Sequence, residues 1–279
     1  MDPTAIALIS MGTSFVTALA TKGKVGGPLQ TLDDCWELVF GNFHLFVEKK
    51  RALREQNLSD YKNRIATNIQ SIPPENLQEP PLNIIGPALE ASKFFIESAV
   101  IREMFAKVIA SSMDCQKANQ THSCYVEIIK QLSPLDAQNI AVLKESQEPL
   151  VEYRLENKNG QSVISQTNVF LSNEENQNIK ENAISISNLI RLGLASISFH
   201  ECFSDPKKYD KFHKTEEYKL MLKSVSLVKK IHEESDVDSF PTIKPQTVKH
   251  FVATEYSPKI KEGRIELSPL GESFAQICC

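Results

Sequence analysis

His122, Glu127 and Asp136 are the residues whose types and spacing come nearest to acid–base chemistry. An imidazole titrates near neutral pH, and a neighbouring carboxylate can orient it, so such a group could move a proton. The plainer reading is a histidine at a helix start that bonds the backbone or a carboxylate, and that is the expectation here. His122 with Cys124 and His200 with Cys202 could supply four zinc ligands if each pair lay on a strand, where residues two apart share a face. The first pair falls in a helical pattern, where such positions diverge. Buried thiols and capping histidines are therefore expected in place of a metal centre. The cysteines at 35, 115, 124, 202, 278 and 279 show no CxxC spacing and read as reduced thiols of a cytoplasmic protein. The chain has no GxSxG, Walker-type loop, HExxH or Rossmann glycine pattern. No catalytic residue, cofactor or metal is expected, and a divergent nuclease built from scattered Asp, Glu and Lys stands as an alternative.

Binding residues are easier to nominate. A net charge of −4 gives no broad cationic field and weakens the case for non-specific nucleic-acid binding. The helical stretch ending at Leu194 carries Asn182, Ser185, Asn188 and Arg191 as candidate contacts to nucleic acid or a partner, with Lys180 for phosphate. Lys207, Lys208 and Lys211 extend that set within a Lys-rich insertion, residues 206–235. Asp205, Asp210, Glu216, Glu217 and the acids of 233–238 offset its charge, so it reads as a solvated helix. Nucleic acid is thus an allowed but not a favoured partner. Arg102-Glu103 reads as a surface pair, with an ion pair inside a bundle as the alternative.

The elements that must position these residues start with residues 3–21, which carry no charge. Ser, Thr and Gly dilute the stretch and Asp2 precedes it, so a buried or partner-facing helix is expected and a membrane segment is not. Residues 22–28 form a basic, Gly-rich link without the spacing of a phosphate loop. Leu29, Leu32, Trp36, Val39, Phe40, Phe43 and Val47 then recur at three and four residues, which predicts an amphipathic helix. The aromatic load of Trp36, Phe40, Phe43 and Phe46 serves a core or a self-association surface. Another helix is expected from Ser59 or Asp60 as cap. Pro73, Pro74, Pro80 and Pro81 stop it and turn the chain. Helices resume from Leu82 through Ile109 and again from His122 to Leu132, which completes a bundle over residues 1–132, its first 28 a variable helix and linker.

Ser133-Pro134 with Asp136 repeats a helix-start signature. Strand-like runs at 150–155 and 163–171 flank Asn157-Lys158-Asn159-Gly160, a hairpin signal. A helix to Leu194, a strand at 197–199, strands at 249–256 and 264–267 flanking Lys261-Glu262-Gly263, and a last helix from Ser268-Pro269 follow. That order predicts a winged-helix-like α+β domain over residues 133–279, and a mostly α chain overall. Cys278-Cys279 has the form of a prenylation tail, but it follows an apolar helix and a packed end is expected.

A set of motifs in this order resembles the Abi-alpha (abortive infection alpha) family. They are Pro80-Pro81 with Gly86-Pro87 and Glu90, Arg102-Glu103-Met104-Phe105-Ala106, Ser112-Met113-Asp114, and His122 with 126–134 and Asp136. The stretch 186–194, and Leu267-Ser268-Pro269-Leu270-Gly271 with Phe274 and Cys278, complete the set. The resemblance runs from Trp36 to Cys278 and implies a part in bacterial defence against phage. It supplies no catalytic residues. The expectation is a cytoplasmic, homo-oligomeric defence protein acting through protein–protein contacts with an unidentified partner or phage trigger. The alternatives are a winged-helix DNA-binding regulator and a toxic effector acting at the membrane through residues 3–21.

Overall fold

A helix that is apolar over most of its circumference is forced into an interior, and α5 (Ala99–Ser112) is that helix here. Ile101, Met104, Phe105, Ala106, Val108 and Ile109 are all buried. The computed structural model describes residues 14–20, 27–40, 51–234 and 256–279. Around α5 stand α3 (Arg51–Gln70), α4 (Leu82–Phe95), α6 (Cys124–Ile129) and a terminal helix, α10 (Pro269–Cys278). Ala106, Ala110 and Ser112 keep its surface low enough for close neighbours, and the Ser98 hydroxyl caps its start by accepting from the Ile101 N–H.

Two helices precede this group, α1 (Phe15–Ala20) and α2 (Gly27–Phe40). Asp33 ties them together, its carboxylate accepting from the main-chain N–H of Phe15 at 2.7 Å and of Val16 at 3.1 Å. Trp36 packs edge-on against Phe15 at 5.7 Å between ring centres and lies 4.5 Å from Phe40 and 5.8 Å from Tyr61. Trp36 and Phe40 are therefore core residues here; Phe43 and Phe46 lie outside the described residues.

The sequence placed a helix start at Ser59 or Asp60. The structure corrects this: α3 (Arg51–Gln70) is already helical before these positions and runs through both. The Asp60 carboxylate, freed from capping, binds side chains instead. At Ser133 the expected start is present. Its hydroxyl accepts from Asp136 N at 3.2 Å while the Asp136 carboxylate accepts from Ser133 N at 2.7 Å, a reciprocal cap opening α7 (Pro134–Glu145).

The chain divides into two compact units. One runs to Ala141 and takes back Pro269–Cys279; the other is Val142–Ser268. The sequence boundary at Ser133 had assigned the terminal helix to the second unit, whereas its Phe274, Ala275, Ile277 and Cys278 are buried within the first.

The second unit holds a four-stranded antiparallel sheet of order β2-β1-β4-β3, from β1 (Glu148–Glu156), β2 (Ser162–Phe170), β3 (Ala195–Ser198) and β4 (Ser257–Leu267). The tetrapeptide at 157–160 makes the β1–β2 turn. The Asn157 side chain accepts from the N–H groups of Asn159 and Gln161, and Gly160 takes a φ of 76° that glycine adopts without strain. β2 carries two register breaks, where Val151 pairs Val169, Tyr153 pairs Gln166 and Arg154 pairs Ile164. Such breaks bend a strand and raise its twist.

Lys261-Glu262-Gly263 is not a turn. β4 passes straight through it and contains the expected strand at 264–267; of the other expected strand, at 249–256, residues 249–255 lie outside the described residues. Gly263 is needed for close approach: a Cβ there would meet the Phe199 ring at 2.6 Å and the Ser198 carbonyl at 2.7 Å. α8 (Ile179–Arg191) packs on β2 and β3, and α9 (Glu216–Glu234) on β4. The whole is mostly helical with an antiparallel sheet, an α+β architecture. No helix among the described residues is long and apolar enough to cross a membrane.

Candidate functional site

The acid–base trio is dispersed into local bonds. His122 Nδ1 accepts from the Cys124 N–H at 3.1 Å, which supports the start of α6. Glu127 pairs with Lys130 at 2.9 Å one turn on, and Asp136 closes the cap of α7. Cys124 is half-buried, Cys202 is exposed, and no group of three or more His, Cys, Asp or Glu among the described residues could hold a metal ion. Burial of the Cys278 thiol pushes its pKa well up, against the thiolate character that reactivity needs.

Arg102 is the buried member of a partly exposed network joining α3 to α5, so Arg102 and Glu103 are tied to α3 and are not a simple surface pair. The Arg102 side chain is 7% exposed. It donates to the Ile96 carbonyl and to Asp60 Oδ2 at 2.9 Å. The same oxygen accepts from Arg64 Nε at 2.7 Å. Arg64 Nη1 reaches Glu103 Oε2 at 2.7 Å, and Asn68 donates to Glu103 Oε1 at 3.1 Å. These groups hold two helices in register. Lys62, also buried, sits over the rings of Phe15 at 4.8 Å and Trp36 at 5.1 Å, and burial lowers its pKa.

On α8 the nominated contacts separate by face. Lys180 and Arg191 are exposed and Asn188 is half-buried, whereas Asn182 and Ser185 are inside. The Asn182 amide donates to the carbonyls of Asn176 at 2.7 Å and Asn178 at 3.2 Å, fixing the turn before the helix. Helical periodicity already implied this division, since 182, 185, 186 and 189 share a stripe.

The Lys-rich insertion proves to be a core element. Its 3-10 segment Pro206–Lys214 and α9 place Tyr209, Phe212, Tyr218 and Met221 in one cluster with Val151 and Tyr153 of β1 and Val169 of β2. The lysines take the other face: Lys207 and Lys208 are exposed, Lys208 with its ammonium 3.7 Å from the Phe203 ring centre, and Lys211 bonds Ser172 at 3.0 Å. The charges of the insertion hide Tyr209, Phe212, Tyr218, Met221 and Val225; the signal for them is the three-residue step from Tyr209 to Phe212 and the three- and four-residue steps through Tyr218, Met221 and Val225.

Beside this cluster lies a cleft of about 380 Å³. Tyr153 and Leu155 of β1 with Met221 and Val225 of α9 supply its apolar lining; Ser165 and Gln166 of β2 and Glu217, Leu220 and Ser224 of α9 complete it. Tyr153 is anchored through its hydroxyl, which donates to the Phe212 carbonyl at 2.8 Å and meets Thr215 Oγ1 at 2.8 Å. Burial pushes its pKa from 10.0 up to about 12. The folded state therefore keeps this proton longer than the unfolded chain does. Its contribution is complete below pH 10 and is lost as the pH rises through about 12. Urea denaturation across that window should show stability falling by on the order of 2 kcal/mol from this group, and Tyr153→Phe should flatten the slope. A wild-type curve with no fall above pH 10 would contradict the assignment.

A helical unit with a polar clasp anchored on buried Arg102, and a sheet unit with an apolar cleft at its surface, define a helix-rich α+β protein. The sequence model of the abortive infection alpha family matches residues 53–278, and the chain belongs to that family. Membership implies a role in antiphage defence. No curated protein and no solved structure matches the chain.

Proposed function

We propose that the protein acts in phage defence by contact with another protein, made through its second unit, without covalent chemistry of its own. The supporting observation is the exposed apolar side chains carried by two of the elements that wall the cleft. On α9 Leu220, Leu222 and Leu227 are 58%, 44% and 58% exposed, and on β2 Val163 and Ile164 are 54% and 51% exposed. Single exposed leucines are ordinary; what supports the reading is that Leu220 lines the cleft itself and that the two elements walling it carry further exposed apolar side chains.

Homo-oligomerisation belongs to the same reading. On α2 the available apolar group is Leu38, 84% exposed, since Trp36 and Phe40 are internal. Sedimentation of the wild type checks it.

The decisive experiment is plaque formation on cells carrying Leu220→Asp with Leu227→Asp. Both positions are exposed, so circular dichroism and melting should stay near wild type, within about 0.5 kcal/mol. Protection should fall to the level of cells without the protein. Full protection by a folded double variant would remove this reading.

A further inference from the structure

We infer that the cleft between the β1–β2 hairpin and α9 receives a short extended segment of the partner protein, one that brings apolar side chains and a single lysine or arginine seated on Glu217. The inference rests on the partner-binding reading and specifies its chemistry.

Charge makes the first part of the argument. Among the described residues lining the cleft, Glu217 alone is charged. It is exposed, and no hydrogen bond or ion pair to it is found among the described residues, whereas its neighbour Glu216 is met by Lys219 at 2.7 Å. A carboxylate at the edge of an apolar lining suits a long basic side chain, whose methylene stem covers apolar surface while its head makes a charge-assisted bond. The same carboxylate repels an acidic side chain.

Shape and backbone make the second. A volume of about 380 Å³ is near the lower end of the roughly 300–1,000 Å³ of ligand sites, room for a few side chains and not for a helix. The wall strand β2 is the outermost of the sheet, so its outward N–H and C=O groups have no strand beside them among the described residues. An added strand satisfies such groups and drops alternate side chains into an adjoining cleft. The sequence of β2, SVISQTNVF, holds no charge to oppose this. Its two register breaks limit any ladder to a few residues, which disfavours pairing with the full β2 of a second copy.

The test uses the isotope-labelled full chain and two synthetic probes, N-acetyl-Val-Leu-Lys-Leu-Val-amide and its counterpart with Glu for Lys. The lysine peptide should shift the backbone amides of Ser165, Gln166 and Ser224, with a Kd about tenfold below that of the glutamate peptide. Glu217→Lys should invert the preference, and Ser224→Trp, placed at an exposed wall position, should abolish binding of both while the melting temperature holds. Equal affinities, or shifts confined to other surfaces, overturn the inference. Protection lost in the Leu220/Leu227 variant with no lysine preference here overturns this inference alone; protection kept together with no peptide-induced shift overturns both.

Discussion

Truncating Phe212 to alanine is expected to lower stability by about 3–5 kcal/mol, a large part of what a domain possesses. The ring is fully buried, 6.2 Å from that of Tyr209, in the cluster shared by β1, β2, the 3-10 segment and α9. Removing it leaves a cavity whose lining includes strand residues that cannot collapse inward, and that residual void is what takes the cost beyond simple transfer. Phe212 also supplies the carbonyl to which Tyr153 donates, so a local shift would disturb that bond too. Lys207→Ala, exposed in the same segment, should change stability by less than about 0.5 kcal/mol. Chemical denaturation of the two variants measures both figures. A Phe212→Ala protein as stable as wild type would show that residues 206–214 are an ornament on the sheet and not its cover.

Arg102→Met is expected to cost about 2–3 kcal/mol. Taking one partner from a buried ion pair leaves the remaining groups desolvated and unmatched, typically at about 3–5 kcal/mol. Here Asp60 is 36% exposed, so water takes over part of what the guanidinium provided, and the loss is smaller. Asp60→Asn should cost a comparable amount, because it strips Arg102 of its anion and Arg64 of one of its two. The double variant should fall short of the sum by about 1 kcal/mol or more, since each single change already breaks the shared bond. Strict additivity would mean that the two residues contribute separately and that no clasp exists between α3 and α5.

Local chemistry was legible in the sequence, and long-range use was not. Asn157 and Gly160 announce a hairpin because a tight turn needs an Asx acceptor and a positive φ, both written within four residues. Ser133, Pro134 and Asp136 announce α7 for the same reason. Asp60 misled because a carboxylate suitable for capping is equally suitable for a guanidinium 42 residues away, and no local pattern distinguishes the two. Gly263 misled in a similar way: its missing side chain makes room for Phe199, a requirement visible only once β3 lies beside β4. The cleft was invisible because its walls come from β1, β2 and α9, segments whose meeting no periodicity records. The α8 contacts were half legible, since the stripe that buries Asn182 and Ser185 was written in the spacing and was passed over in favour of their polarity.

The return of α10 to the first unit bears on how the protein is made. Phe274 stacks edge-on against Tyr125, the Tyr125 hydroxyl meets Ser273 at 2.6 Å, and Lys107 donates to the main-chain oxygen of Cys279. During synthesis, α6 leaves the ribosome long before the residues that cover Tyr125, so Tyr125 waits with part of its surface wet while the sheet unit is translated. Residues 269–278 thus decide when the helical unit becomes whole, and a fragment ending at Ala141 is short of a wall from the outset.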